Sequence, residues 1–180
     1  MKKILFFFCA LSLNAMIFAQ QKINTEKSEI SFSVTNLGAN IVEGTLEGLE
    51  GNVTFDPYDV EAASFDIRLE TETIHTGNGL RDKHLKNKKQ YFYSKIFPTI
   101  EFKSSKVIES DDGRSYKVLG ELTIKETTKE IEIPFKFVEK ENGVQLTGSI
   151  ELSRLDYGIG GEGTNLIGEE VAVKIVCFIE

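Results

Sequence analysis

A short segment near the middle of the chain holds both histidines and the densest group of ionisable side chains. Arg81, Asp82 and His84 follow one another closely there, and Ser104 or Ser105 downstream supplies a hydroxyl group. A carboxylate, a guanidinium and an imidazole are the groups of a proton-transfer site, and a serine can act as a nucleophile. The chain contains no Gly-x-Ser-x-Gly nucleophile elbow, however. We therefore favour a structural interpretation, in which Arg81 and Asp82 cap and pair at a helix start and His84 packs on a rim.

The same segment is a poor candidate for a metal centre. His75 and His84 are nine residues apart, with Asp82 between them. This spacing matches none of the usual zinc patterns, and no cysteine is near enough to complete one. The sequence therefore predicts no metal site.

The elements around this segment are strands, because apolar residues alternate with polar ones from Lys22 onward. The alternation is clearest at residues 30–34, 65–69 and 131–137, and weaker at 52–56, 100–108, 116–125, 144–153 and 170–179. Asp-Gly and Asn-Gly pairs at 112–113 and 142–143 are typical of hairpin turns. Eight strands with one apolar face each predict a single all-β, antiparallel domain, as a sandwich or a closed barrel. Glycines inside the strands favour the eight-stranded barrel.

One short helix interrupts the strands near residues 78–92. Asn78 can cap it, and Leu80, His84, Leu85 and Phe92 fall near one face. Lysines load its C-terminal half, where they complement the negative end of the helix dipole. Pro98 ends any helix before the next strand. We expect this helix to cross an open end of the barrel.

The N-terminus has the features of an export signal. Lys2 and Lys3 precede an apolar stretch that ends at Ala19, a small residue suited to the position before cleavage. The stretch is short for a transmembrane helix of about 20 apolar residues. The sequence thus predicts a signal peptide over residues 1–19, cleavage after Ala19, and a mature domain over 20–180 that is periplasmic or secreted. No stable membrane anchor would remain.

The charge balance excludes one class of partner. The net charge of −7 becomes −9 without Lys2 and Lys3, with 19 basic against 28 acidic residues. A nucleic-acid partner would require a basic footprint, and overall charge also argues against docking on anionic lipid. Cys177 is the one cysteine beyond the signal, so no intrachain disulfide can form, and it fits a packed apolar residue of the last strand.

Several spaced motifs agree with a known family. The chain resembles the YceI-like family over nearly all of the mature sequence, in residues 76–78, 81–82, 84–85, 91–92, 97–104, 120–124, 128–130, 156–159 and 167–171. The resemblance implies a lipocalin-like antiparallel barrel, exported to the periplasm, with an elongated apolar cavity. Members are associated with long isoprenoid or similar amphiphilic lipids, so a bound isoprenoid lipid or quinone is implied, and no cofactor is required. Many members place a histidine near positions 34–38, where this chain has Asn36.

Together with the alternation, the resemblance predicts which side chains meet a ligand. The apolar lining would comprise Phe32, Val34, Phe65, Ile67, Leu69, Phe102, Phe135 and Phe137, with Leu80, Leu85 and Phe92 closing one end. The polar groups at the mouth would be Asn36, His75, Arg81 and His84. Periodicity alone leaves a filled core and a hollow lumen equally open.

Three functional hypotheses follow. The first is a binding protein for an apolar lipid that acts as a periplasmic carrier, a store or a stress-related binder, without a catalytic step. The second is a hydrolase or isomerase acting on such a lipid through His84 and Asp82. The third is a structural or interaction module with a filled core. A homodimer is compatible with each, since an exposed strand edge could pair two copies.

Overall fold

The computed structural model of the chain describes residues 21–161 and 166–180. The proposed signal peptide, residues 1–19, lies outside the described residues. Strands and one helix follow in the order β1 (Gln21–Lys22), β2 (Glu29–Asn36), β3 (Asn40–Leu46), β4 (Glu50–Thr54), β5 (Ser64–Glu70), α1 (Gly79–Asn87), β6 (Thr99–Glu109), β7 (Tyr116–Ile124), β8 (Thr127–Lys140), β9 (Gly143–Ser153) and β10 (Ile167–Ile179).

All ten strands belong to one curled antiparallel sheet, in the order β1-β4-β5-β6-β7-β8-β9-β10-β2-β3. The all-β antiparallel architecture agrees with the sequence, but the predicted number of eight strands was too low. The two missed strands are β1, which has only two residues, and β3, in which Ile41 and Val42 adjoin and Gly44 interrupts the alternation. A strand with so weak a period gives no alternating signal.

The two edge strands of the sheet, β1 and β3, are not paired with each other in the described residues, and each edge is bridged to another part of the chain. The Thr45 amide donates to the His75 carbonyl at 2.8 Å, and the His75 amide donates back at 3.0 Å. At the other edge, Ile23 pairs with Ile179 at the end of β10. The segment between β5 and α1 therefore covers the free edge of β3 at one position, which limits the exposed strand edge.

Helix α1 lies within the predicted region and begins where the sequence indicates. The Asn78 side chain accepts a hydrogen bond from the Arg81 amide at 3.0 Å, which satisfies one of the free N–H groups at the helix start. The helix is shorter than the predicted 78–92, because it ends at Asn87 and turns lead from there to β6. Within the described residues, no helix has the length and apolar character that crossing a membrane requires.

The sheet end opposite α1 is filled by aromatic rings. Phe55, Phe65, Tyr116, Phe135 and Phe137 contact one another, with ring centroids 5.2 Å apart for Phe55 and Tyr116 and 5.3 Å for Phe55 and Phe135. Edge-to-face rings at such distances stabilise a core beyond the effect of burial alone. This aromatic cluster gives the barrel one solid end.

Candidate ligand-binding cavity

A cavity of about 510 Å³ occupies the half of the sheet nearest α1. Its wall is built from inward-facing residues of β2, β3, β5 to β10 and from α1. Most of these residues are Ile, Leu, Val or Phe, and no Asp or Glu of the described residues is among them. The volume falls within the range of about 300–1,000 Å³ that is typical of small-molecule sites. Of the two alternatives that periodicity allowed, a filled core and a hollow lumen, this half of the barrel has the hollow lumen.

Eight of the eleven residues predicted as apolar lining lie in the wall. They are Phe32, Val34, Ile67, Leu69, Leu80, Leu85, Phe92 and Phe102. The strand residues reach the lumen because successive side chains alternate between the two faces of a sheet. Their contact with a ligand remains a prediction.

The other three predicted lining residues, Phe65, Phe135 and Phe137, do not line the cavity. They belong to the aromatic cluster at the solid end, where Phe65 and Phe135 lie 5.7 Å apart. Alternation correctly placed them on the inner face, but it carries no information on depth along the strand. Their rings fill the lumen instead of bordering it.

The polar groups of the wall are confined to the end of the barrel that α1 crosses. Asn36 is the last residue of β2, and Arg81 and His84 lie on α1. These three predicted mouth residues therefore border the cavity. His75, the fourth, does not, because its side chain is 69% exposed on the outer surface and contacts Asp82.

Thr76, in the segment before α1, forms hydrogen bonds with two charged side chains of the helix, Asp82 and Arg81. Its amide donates to Asp82 Oδ1 at 2.9 Å, and its hydroxyl donates to the same carboxylate oxygen. Arg81 Nε donates to Thr76 Oγ1 and Arg81 Nη2 to the Thr76 carbonyl, each at 2.8 Å. The expected pairing of Arg81 with Asp82 is thus indirect, through Thr76. It fixes a guanidinium in the cavity wall.

The Asp82 carboxylate is buried and held in its charged form. Burial by itself would raise its pKa, but the hydrogen bonds from Thr76 and the nearby His75 imidazole outweigh burial and lower the pKa. Asp82 forms no hydrogen bond or ion pair with His84, since residues two apart on a helix face different directions. The structure does not form the acid–base pair required by the hydrolase or isomerase hypothesis.

Sequence reasoning missed two large polar residues of the mouth, Arg154 and Tyr157. Arg154 follows β9 and donates from Nε to the Gly168 carbonyl, from Nη1 to that of Ile159 and from Nη2 to that of Ile167. It thereby ties the two ends of the β9–β10 connection together. A lone arginine in a loop carries no local signal for such a role.

Tyr157 is almost completely buried in the cavity wall, and its hydroxyl has no hydrogen-bond partner among the described residues. Burial raises the pKa of this phenol, and the neighbouring Asp156 carboxylate raises it further. A neutral phenol remains a hydrogen-bond donor, and a buried donor without a partner is unfavourable. The Tyr157 ring thus borders the cavity, while its hydroxyl group is enclosed by protein and has no partner among the described residues.

Comparison with known proteins gives one consistent assignment. The family model for the YceI-like domain matches residues 21–177. A UPF0312 protein of Yersinia pestis (strain Pestoides F) is 30% identical to this chain over 187 residues. The alignment covers 94% of this chain and 93% of the Yersinia protein. A UPF0312 protein of Vibrio cholerae serotype O1 is 30% identical over 138 residues, covering 73% and 72%.

Solved structures share the fold at lower identity. BcnA of Burkholderia cenocepacia superposes with a TM-score of 0.80 at 21% identity, covering 87% of this chain and 98% of its own. A polyisoprenoid-binding domain from Saccharophagus degradans, implicated in plant cell wall breakdown, has a TM-score of 0.70 at 12% identity, with coverages of 89% and 97%.

Proposed function

The chain belongs to the YceI-like domain family, and we propose that it binds a long apolar or amphiphilic lipid in its cavity. The ligand would be of polyisoprenoid or isoprenoid-quinone type. The name of the structural neighbour from Saccharophagus degradans supports this ligand class, because that domain is described as polyisoprenoid-binding. The protein would act as an exported carrier, store or stress-related binder in the periplasm.

The division of the cavity into an apolar interior and a polar mouth carries this proposal. Removing hydrocarbon from water is favourable, by about 0.8 kcal/mol of free energy for each CH₂ group. The inner wall offers isoprenoid chains only aliphatic and aromatic contacts, for example from Ile131, Ile150 and Val173. Arg81 and Arg154 lie at the mouth, where a polar head group with acceptor oxygens would lie.

Binding without chemistry is the proposed mode of action. Asp82 is engaged by Thr76 and His75 and is absent from the wall, which leaves His84 without a carboxylate partner there. If His84 nevertheless acted as a catalyst, His84→Ala would abolish loss of a polyprenyl substrate while leaving its uptake intact. The proposal predicts no substrate loss in either protein.

The proposal is tested by identifying what the protein holds. The protein is purified from a host with membranes, extracted with organic solvent, and the extract is examined by mass spectrometry. We expect a stoichiometric isoprenoid lipid, and uptake of added polyprenyl lipid after delipidation. A protein that carries no apolar ligand and takes up none would refute lipid binding.

A further inference from the structure

The net charge of the chain is acidic, but its basic residues are concentrated in one segment. The segment from residue 73 to residue 100, which includes α1, contains six basic residues and one acidic residue. The single acid is Asp82, which is buried. The remainder of the chain from residue 21 contains 13 basic and 27 acidic residues. A segment of charge +5 therefore lies across the cavity end of a body of charge −14.

Most of this positive charge faces solvent. Lys83, Lys88, Lys89 and Lys95 are exposed, and Lys86 is half-exposed. None of these lysines has a carboxylate within ion-pair distance in the described part of the chain. Of the acidic residues near this end, Asp156 in the β9–β10 connection is paired with Lys129 at 2.7 Å, and Glu169 on β10 accepts a hydrogen bond from Ser153. The uncompensated charge is thus confined to the side of α1.

Exposed aliphatic side chains lie next to wall residues at the same end of the sheet. Leu80 borders the cavity and is 66% exposed. Leu37 and Leu166 are each 58% exposed, are joined by a hydrogen bond from the Leu37 amide to the Leu166 carbonyl, and adjoin the wall residues Asn36 and Ile167. Ile41, beside the wall residue Val42, is 69% exposed. Apolar side chains grouped at an opening mark an interaction site. We call these four residues the aliphatic rim.

We propose that the aliphatic rim and the lysines of α1 form a docking surface for a lipid bilayer that carries anionic head groups. Lysines near such a surface are attracted by its negative potential, while leucine and isoleucine side chains enter the boundary between head groups and acyl chains. The acidic body of the barrel is repelled, so the attraction is directional and presents the cavity mouth to the membrane. A lipid would then pass between bilayer and cavity without crossing water.

Two features favour a bilayer over a protein partner. The rim is continuous with the cavity wall through Leu80, so the surface and the proposed binding site form one path. The positive charge of the α1 segment is complementary to anionic lipid. A symmetric dimer that buries this end would instead place two basic segments together.

The test compares binding of the purified protein to vesicles of phosphatidylcholine with and without phosphatidylglycerol, by co-sedimentation. Wild-type protein is expected to bind the phosphatidylglycerol vesicles and to dissociate as salt is raised. The variant K83E/K86E/K88E/K89E should bind at least about tenfold more weakly, since each lysine near the surface contributes appreciably. All variants share one N-terminus, so any retained leader contributes equally.

Matched control variants distinguish the effect of where a substitution lies from the effect of the change in net charge or in apolar surface. K103E/K106E/K136E/K140E changes four exposed lysines of β6 and β8 and alters net charge by the same amount. L37N/I41T removes half of the aliphatic rim, and asparagine tolerates the positive φ of Leu37. I108T/V138T removes two exposed aliphatic side chains elsewhere on the barrel. We expect weaker binding for K83E/K86E/K88E/K89E and L37N/I41T, and wild-type binding for the two controls.

Several results would overturn the docking surface. These are absence of wild-type binding to phosphatidylglycerol vesicles, equal losses in the control variants, or concentration-dependent dimerisation that the α1 variant abolishes without any vesicle binding. The inference is separable from lipid binding in the cavity, because uptake of a polyprenyl lipid delivered on cyclodextrin bypasses the vesicle. Docking without uptake would refute only the proposed function, and uptake without docking only the surface.

Discussion

The Asp82 carboxylate accepts hydrogen bonds from both the amide and the hydroxyl of Thr76, at the point where the chain enters α1. The same threonine accepts from Arg81, so one residue fixes a buried anion and a cation of the cavity wall. His75, next to Thr76, bridges to Thr45 on the edge strand β3. These contacts of His75 and Thr76 therefore connect the helix and the cavity mouth to the edge of the sheet.

Asp82→Asn should destabilise the protein by about 2 kcal/mol, because hydrogen bonds to a charged group contribute about 1.5–3 kcal/mol. The free energy of unfolding in urea measures the loss. Asp66→Asn is the matched control, since Asp66 is exposed on β5, and it should change stability little. Equal effects of the two substitutions would contradict the role assigned to Asp82.

The contribution of Asp82 should also depend on pH. Its pKa is lower in the folded state than the value of about 3.9 for an unfolded aspartate. The stabilisation is therefore complete above about pH 4 and is lost as pH falls through the folded-state pKa. Urea unfolding at several acidic pH values should show the difference between wild type and Asp82→Asn shrinking below that point. A difference that grew on acidification would contradict this sign.

Gly44→Ala should destabilise the sheet by about 1–3 kcal/mol, because an added methyl group overpacks the site. A Cβ atom at Gly44 would meet the ring of Phe32 and lie 2.8 Å from the His75 carbonyl oxygen. Thermal unfolding measures the loss. Gly79→Ala at the start of α1 is the control, since a Cβ there meets nothing and alanine favours helix; this variant should be neutral or slightly stabilised.

Phe135→Ala should distinguish the solid end of the barrel from the cavity. Removing a ring from the aromatic cluster should lower stability by about 3–5 kcal/mol. Lipid affinity, measured with protein that is still folded, should remain close to that of wild type. A large loss of lipid affinity without a loss of stability would show that Phe135 contacts the ligand.

Cys177 should be unreactive in the native protein. Burial raises the pKa of its thiol to about 12 despite a hydrogen bond with Ser28. Alkylation near pH 8.5, close to the ordinary thiol pKa of about 8.5, should label the Cys177 peptide only after unfolding. Rapid labelling of native protein would show that this end of β10 opens easily.

The sequence was sufficient for the antiparallel sheet, the capped helix and most of the cavity wall, because each leaves a local pattern. Alternation places Phe102 and Phe135 alike on the inner face, yet only Phe102 borders the cavity. Depth along the barrel depends on strand register, which is a property of pairs of strands and not of one segment. The same limit explains why β3, with its interrupted alternation, was missed.

The polar mouth was only partly predictable for a related reason. Asn36, Arg81 and His84 stand in segments whose local patterns already marked a strand end or a helix face. Arg154 and Tyr157 reach the mouth because the segment 154–159, which follows β9, borders the cavity. His75 lies outside the cavity, where its ring contacts Asp82. Contacts between segments distant in sequence decide these positions.

The most direct test of the account is to fill the cavity and measure lipid uptake. Ile150 lies in the wall opposite Val173 of the neighbouring strand, so Ile150→Trp places an indole in the lumen. Val138→Trp adds the same group to the outer surface. By titration with a polyprenyl lipid, we predict stoichiometric binding by wild type and Val138→Trp, and binding at least about tenfold weaker for folded Ile150→Trp. Equal affinity in all three proteins would contradict binding inside the barrel.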